Sequence, residues 1–306
     1  MRRQLRLLAL LLVVALASTG LVTASAQAAT ATRVTGKVVD ADGNPIRGIT
    51  VLGFPRGDSS DVIYASTNSA GVFTTGHNER FSTGEFELAY FDAGKDYAGT
   101  SVDVVLHAGT NTLPDVTLQL GAKVTGTITS PSGHALRNID LRAEETSGQS
   151  DDPTGAGYDT TGSTGYFELA PLPVGEYDLY TGFEPEDSDG TDSFVVTTPG
   201  EALQVDLANV RVDPRFTLKA TSSSKGRATV KLGISAAYYG LPALGGTFDL
   251  YDGSKRIKRD VYLKSGARTI SLSGLSTVKH TFRVRYLGST DVLASWSPKV
   301  SVTVKK

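Results

Sequence analysis

A unit of about 90 residues is present twice in this chain, and that duplication limits its fold more than any other feature. Val34-Thr35-Gly36-Lys37-Val38 returns as Val124-Thr125-Gly126-Thr127-Ile128, an offset of 90. The same offset carries Asp42-Gly43-Asn44-Pro45-Ile46-Arg47-Gly48-Ile49 onto Ser132-Gly133-His134-Ala135-Leu136-Arg137-Asn138-Ile139. Gly71-Val72-Phe73 then matches Gly165-Tyr166-Phe167, and Gly84-Glu85-Phe86-Glu87-Leu88 matches Gly175-Glu176-Tyr177-Asp178-Leu179. The offset drifts to 94 and back to 91, so the extra residues belong to loops. Solenoid repeats run to roughly 20–45 residues. A longer unit of this size is an independent small domain.

Within each unit the local pattern is that of strands. Val34 to Val39 is rich in β-branched residues and stops at Asp42-Gly43-Asn44-Pro45, a turn cluster. Phe86, Leu88 and Tyr90 alternate with Glu85, Glu87 and Ala89, as in a strand with one buried face. No stretch of a dozen residues beyond the amino terminus carries helical periodicity. Several short strands per unit, with turns between them, predict a β-sandwich.

The motifs carry a resemblance. VTGKVVDADGNPIRGITV, then NSAGVF, then STGEFELAY, resembles the carboxypeptidase regulatory-like domain. VTGTITSPSGHALRNIDL, then GSTGYFELAPLPVGEYDL, resembles a second, diverged copy, with Ala135 in the proline place and Asn138 in the glycine place of the turn. The resemblance implies a transthyretin-like sandwich, grouped with starch-binding-like folds, and says little of function. Residues 213–306 do not align with the repeats. Their Thr247-Phe248-Asp249-Leu250-Tyr251-Asp252-Gly253, then Leu272-Ser273-Gly274-Leu275, then Lys279-His280-Thr281-Phe282-Arg283-Val284-Arg285-Tyr286 resemble the bacterial Ig-like repeat domain, which implies a stalk or spacer.

The amino terminus reads as a targeting segment. Arg2, Arg3 and Arg6 precede an apolar run from Leu7 to Ala17, and small residues end at Ala24-Ser25-Ala26-Gln27-Ala28. That is signal-peptide grammar, with cleavage expected after Ala28 or, second, after Ala26. The apolar run is too short to span a bilayer, which takes about 20 residues. The expected product is secreted and extracellular, with no transmembrane segment in the mature chain. It has no cysteine. Disulfide staples, thiol catalysis and zinc ribbons are therefore excluded, and the domains must be held by burial. The expected architecture is all-β: three consecutive antiparallel Greek-key β-sandwiches after a signal peptide. The divisions are 1–28 (signal peptide), 29–120 and 121–212 (regulatory-like copies) and 213–306 (Ig-like).

The formal net charge of −2 conceals a strong segregation. Residues 29–120 hold 6 Lys/Arg and 11 Asp/Glu, net −5; residues 121–212 hold 4 and 16, net −12; residues 213–306 hold 17 and 5, net +12. A basic domain favours an anionic partner, here extracellular polysaccharide or an anionic cell-envelope polymer. Docking of the basic domain on its acidic neighbour explains the same asymmetry. Nucleic acid is not expected, for want of aromatic–basic interleaving on a recognisable reader fold.

No catalytic motif stands out. There is no G-x-S-x-G, and His77, His107, His134 and His280 stand in no triad-like context. A barrel hydrolase needs about 250 residues with eight helices, which three sandwiches cannot supply. Carbohydrate binding by stacked aromatics has as candidates Trp296, the one tryptophan, and the doublet Tyr238-Tyr239, together with Tyr158 and Tyr180. Glu184, Glu186, Asp187, Asp189 and Asp192 crowd around Gly190. Asp187, Asp189 and Asp192 can supply oxygens to calcium, but the spacing is not that of an EF-hand and no glutamate stands at the closing position, so a solvated acidic loop is the favoured reading; no cofactor is otherwise expected. A strand-crossing isopeptide bond between Lys37 and Asn111 is not expected, because the second copy has Thr127 in the lysine place.

The function expected is a non-catalytic secreted binding or scaffold protein at the bacterial surface or in the extracellular matrix. The alternatives are an accessory protein binding a starch-like polysaccharide and, further off, a glycoside hydrolase or other polysaccharide-degrading enzyme.

Overall fold

The computed structural model describes residues 32–56, 62–75, 83–146, 157–182 and 191–305. The expected signal peptide, Asp187 and Asp189 lie outside these residues. The described chain is almost all strand, in six sheets that pair in sequence order into three sandwiches.

The first sandwich contains β1 (Arg33–Val39), β2 (Ile49–Pro55), β3 (Ile63–Ser66), β4 (Val72–Thr74), β5 (Gly84–Asp92), β6 (Thr100–Leu106), β7 (Thr110–Thr112) and β8 (Val116–Thr117). One sheet runs β4-β1-β7, with β8 also on β1; the other runs β3-β2-β5-β6. The alternation seen in the sequence sets the inner faces, but β5 departs from its expected single buried face, since Glu87 and Ala89 are buried as well as Phe86, Leu88 and Tyr90. Val34 and Val38 on β1 and Phe73 on β4 meet Ile49, Val51, Phe86, Leu88 and Tyr90 from the opposite sheet in one core. Phe73 and Tyr90 touch edge to face, ring centroids 6.0 Å apart.

The second sandwich repeats this with β9 (Lys123–Thr127), β10 (Asp140–Glu145), β11 (Gly157–Thr160), β12 (Tyr166–Glu168), β13 (Gly175–Thr181), β14 (Thr191–Val196) and β15 (Ala202–Gln204). Its sheets are β12-β9-β15 and β11-β10-β13-β14. In both copies the first strand pairs antiparallel with the G-x-F strand and parallel with a later one. This parallel seam adds to the antiparallel plan the sequence predicts. Side-chain patterning reveals which face of a strand is buried but not which way its neighbour runs.

The duplication extends to individual backbone bonds. Val38 N–H donates to Gly71 O at 2.8 Å, and Ile128 N–H to Gly165 O at 2.9 Å. Thr67 Oγ1 accepts from Ile49 N–H at 2.9 Å, as Thr161 Oγ1 does from Ile139 N–H. Gly71 and Gly165 have φ of 72° and 76°. A Cβ there would lie 2.5 Å from Val38 O and 2.7 Å from Ile128 O, respectively. Both constraints demand glycine.

The third sandwich contains β16 (Arg215–Ser224), β17 (Arg227–Ser235), β18 (Thr247–Asp252), β19 (Lys255–Tyr262), β20 (Ala267–Ser273), β21 (Lys279–Tyr286), β22 (Ser295–Trp296) and β23 (Val300–Thr303). Its sheets are β16-β17-β20 and β19-β18-β21-β22, with β23 also on β21. A single 3-10 turn, Ala237–Tyr239, follows β17.

The junctions differ. Buried side chains of the second and third sandwiches form one continuous cluster, bridged by Val210 and Val212, whereas the first sandwich has a cluster of its own. Between the first and second, the bonds are Gly121 N–H to Asp96 O at 2.9 Å, Gly200 N–H to Leu120 O at 3.1 Å and Lys123 Nζ to Asp96 at 3.6 Å. Between the second and third, Arg137 donates from its guanidinium to Ala237 O (2.8 Å) and Tyr238 O (3.3 Å), and its N–H donates to Tyr239 O (3.1 Å). Asn138 Nδ2 donates to Tyr238 O at 2.6 Å, and Ser132 N–H to Asp291 Oδ1 at 2.8 Å. Asn138 holds φ of 56° where the first copy has Gly48 at 85°. Asparagine is among the few side chains that tolerate this conformation, so the departure from glycine costs little and adds a docking amide.

Gly165→Ala is expected to lose about 2–4 kcal/mol, combining left-handed strain with contact on Ile128 O. Gly133→Ala, at φ 78° but with open space around its Cβ, should lose only about 1–2 kcal/mol. Urea unfolding of the two variants checks this; equal losses would show that the carbonyl approach does not matter.

Candidate functional site

The outer face of the β19-β18-β21-β22 sheet gathers the aromatic and cationic side chains of the third sandwich. Along β21, His280, Phe282, Val284 and Tyr286 are buried, which turns Arg283 and Arg285 outward. On β18, Phe248 and Leu250 enter the core and Tyr251 faces out. The register sets Arg283 opposite Tyr251, and Arg285 opposite Asp249 on one side and Trp296 on the other.

Trp296 is 39% exposed. The Arg283 guanidinium lies 4.3 Å from the centre of its indole, the Arg285 guanidinium 5.8 Å, and the Tyr251 ring 5.0 Å. Arg283 Nε donates to Ser297 O at 3.2 Å, which anchors that guanidinium beside the ring. Asp249, 3% exposed, closes the edge of the face. Burial works to raise its pKa, but the Asp260 N–H at 2.9 Å, the Arg256 hydrogen bond at 3.0 Å and the charges of Arg256 and Arg259 outweigh it, and the carboxyl titrates below its usual range. Indole, phenol and guanidiniums on one sheet face can stack on a sugar ring and hydrogen-bond its acidic substituents.

The tyrosine doublet has a different place. Tyr238 is exposed, with the Arg215 guanidinium 3.6 Å from its ring centre. Tyr239 is half-buried against the shared core, and the backbone of the doublet receives Arg137 and Asn138. The structure therefore separates Tyr238 and Tyr239 from Trp296 and sets them at the junction of the second and third sandwiches. A cleft of roughly 160 Å³ lies there, lined by Asp140, Arg211, Asp213, Tyr239 and Leu293 among others. It does not include Trp296.

Asp192 is exposed on β14 and accepts from Ser193 N–H at 2.9 Å. Among the described residues, no three His, Asp or Glu side chains gather as a metal site. Asn111 donates to His107 O, Gly109 O and Arg33 O, so its amide closes the turn before β7.

His280 makes contacts that local sequence does not reveal. Its Nδ1 lies 2.5 Å from Asp252 Oδ2, and its Nε2 lies 3.0 Å from Ser276 O and 3.2 Å from Ser276 Oγ. Serine, histidine and aspartate thus meet in triad order, 28 residues separating Asp252 from His280. The chemistry is that of an ion pair. A carbonyl oxygen can only accept, so the contact with Ser276 O favours a proton on Nε2, and the carboxylate favours one on Nδ1. The Asp252 hydrogen bond, which outweighs burial, raises the His280 pKa. An imidazolium held this way has no lone pair with which to activate Ser276.

No protein-family model matches the chain, and no curated protein matches it. Solved structures of similar form include the TIE protein of Bacillus anthracis, at 12% identity, covering 90% of this chain and 48% of that one, TM-score 0.26. A streptococcal ancillary pilin follows at 10% identity, 90% and 95% coverage, TM-score 0.27. A minor pilin of Streptococcus agalactiae is 14% identical over 63% of this chain and all of that one, TM-score 0.27. The chain spans about half the length of the first of these. Likeness at this level assigns no function. Among the described residues, no helix is long and apolar enough to cross a membrane.

The His280 pair sets a pH dependence. Its folded pKa is raised, so its stabilisation is complete below the ordinary value near 6.5 and is lost as pH rises through the folded value. Urea titrations from about pH 6 upward should show the third sandwich weakening, and His280→Gln should flatten that decline. A slope unchanged in the variant would sink the imidazolium assignment.

Proposed function

We propose that this chain is a non-catalytic secreted binding and scaffold protein, working at the cell surface or in the extracellular matrix. Its third sandwich holds an extracellular polysaccharide through the face carrying Trp296. The observation that carries this reading is the Arg283–Trp296–Tyr251 cluster. An aromatic plate already stacked and anchored loses little conformational freedom on binding, and its guanidiniums favour sugars bearing carboxylate or sulfate. The reading requires no cofactor. Calcium held through Asp187, Asp189 and Asp192 is a separable addition, which a rise in melting temperature at millimolar calcium would support and an unchanged one would remove.

Retention of the mature protein on immobilised alginate, an acidic polysaccharide, tests the proposal, with starch and cellulose alongside. Trp296→Ala is expected to weaken alginate binding about tenfold, and Arg283→Gln with Arg285→Gln to remove most of its salt dependence. Retention on starch indifferent to salt would favour the starch-binding accessory reading instead. Binding to none of the three ends the polysaccharide proposal. A fluorophosphonate probe should label no serine; labelling lost in Ser276→Ala would make the protein an enzyme.

The division at 120/121 and 212/213 belongs to the same proposal. A junction of a few polar bonds opens more readily than a shared core. Limited proteolysis should therefore release 29–120 while 121–306 stays whole, and Arg137→Ala should expose the second boundary. Cleavage at 212/213 first would reverse this order.

A further inference from the structure

The opposite sheet of the third sandwich has an outer face of another kind. Ala228, Val230, Leu232 and Ile234 of β17 enter the core, so Thr229 and Lys231 face outward. The register sets Lys219 of β16 directly opposite Lys231, which lies opposite Thr269 of β20; the next row out is Thr221, Thr229 and Ser271. Both lysines are exposed, and among the described residues no ion pair reaches either. The three strands contain no aspartate or glutamate at all.

This arrangement is unfavourable for the protein alone. Directly opposed side chains on paired strands are about 5 Å apart at Cβ, and like charges there are destabilising. The other sheet of the same sandwich pairs Asp249 with Arg256. Here two lysines are directly opposed, with the hydroxyls of Thr269 and of the Thr221, Thr229 and Ser271 row beside them. The ligand that relieves the repulsion is a polyanion. The chemistry of the face favours phosphate: lysine is a compact point charge suited to it, threonine and serine hydroxyls donate to phosphate oxygens, and none of these outward residues is an aromatic on which a sugar could stack.

We propose that the β16-β17-β20 face is a second binding site, for a linear, base-free polymer of phosphate groups that carry one negative charge each. It extends the polysaccharide reading above without sharing its residues. With Trp296 on the opposite sheet, one sandwich then joins two different polymers, one on each side.

The probe is long-chain inorganic polyphosphate, titrated against the mature protein at several salt concentrations. Lys219→Gln with Lys231→Gln should reduce the slope of log affinity against log salt by about 1.4, two charges at about 0.7 each, or about sevenfold in affinity between 50 and 200 mM salt. The same variant should melt no lower than wild type, since it removes a repulsion, so lost binding is not lost folding. Polyphosphate binding unchanged in the variant, or absent in wild type, overturns the proposal. So does an equal loss of alginate binding, which would mean capture of any polyanion. Self-association at low salt that the variant abolishes would assign the face to a second copy of this chain instead. Trp296→Ala separates the two readings. Loss of alginate with polyphosphate retained supports two sites, loss of both leaves one shared site and overturns this one, and alginate retained ends only the earlier reading.

Discussion

Arg137 and Asn138 sit where the second sandwich ends and the third begins, and the arrangement of everything beyond them follows from what they hold. Three carbonyls of the 237–239 turn accept from these two residues. Hydrogen bonds from a charged donor contribute about 1.5–3 kcal/mol each when buried and less at a surface. Val210 and Val212 thread between the sandwiches and join their cores. Two small domains without a disulfide thereby share one larger core, which raises the fraction of surface each buries. The lock grips the end of the third sandwich, so both of its sheets keep an outer face open to solvent.

The fold was legible in the sequence because its signals are local. The Gly71 and Gly165 turns, the alternation along β13 and the alternation along β21 each lie within ten residues. Two features were not. The parallel seam of β1 with β7 joins residues far apart in the chain, and no local pattern gives strand direction. Ala135 and Asn138 look like decay of the repeat, yet Asn138 is where the second copy acquires a partner the first copy lacks. A glycine replaced by asparagine at a left-handed position is a signal for such a role, but only once the conformation is known.

The candidate site was half legible. Trp296 stands out as the lone tryptophan, and Arg283 and Arg285 alternate with Val284 in plain view. Their meeting depends on β21 pairing with both β18 and β22, which is tertiary information. As aromatics in the sequence, Tyr238-Tyr239 and Trp296 look equivalent; their places in the fold separate them, since the doublet lies at the junction and Trp296 on the outer face of a sheet. His280 and Asp252 meet only because β18 and β21 are neighbours. Even then the serine–histidine–aspartate order misleads unless the acceptor on each ring nitrogen is considered.

The charge segregation suggests that the basic domain rests on the acidic one, and it does, through a shared core and polar bonds. Net charge is not what holds the two together. The junction's arginines, Arg137 and Arg211, come from the segment of net −12, and the carboxylate of Asp291 from the segment of net +12. The contacts run against the net charges, and Arg137 meets neutral carbonyls, not carboxylates. The bulk of each segment's charge is therefore unspent in holding the two together. Charge left facing solvent on one domain, with like charges opposed across a sheet, lowers stability unless something outside the chain relieves it. That is why the basic faces of the third sandwich, and not its junction, are where a partner is to be sought.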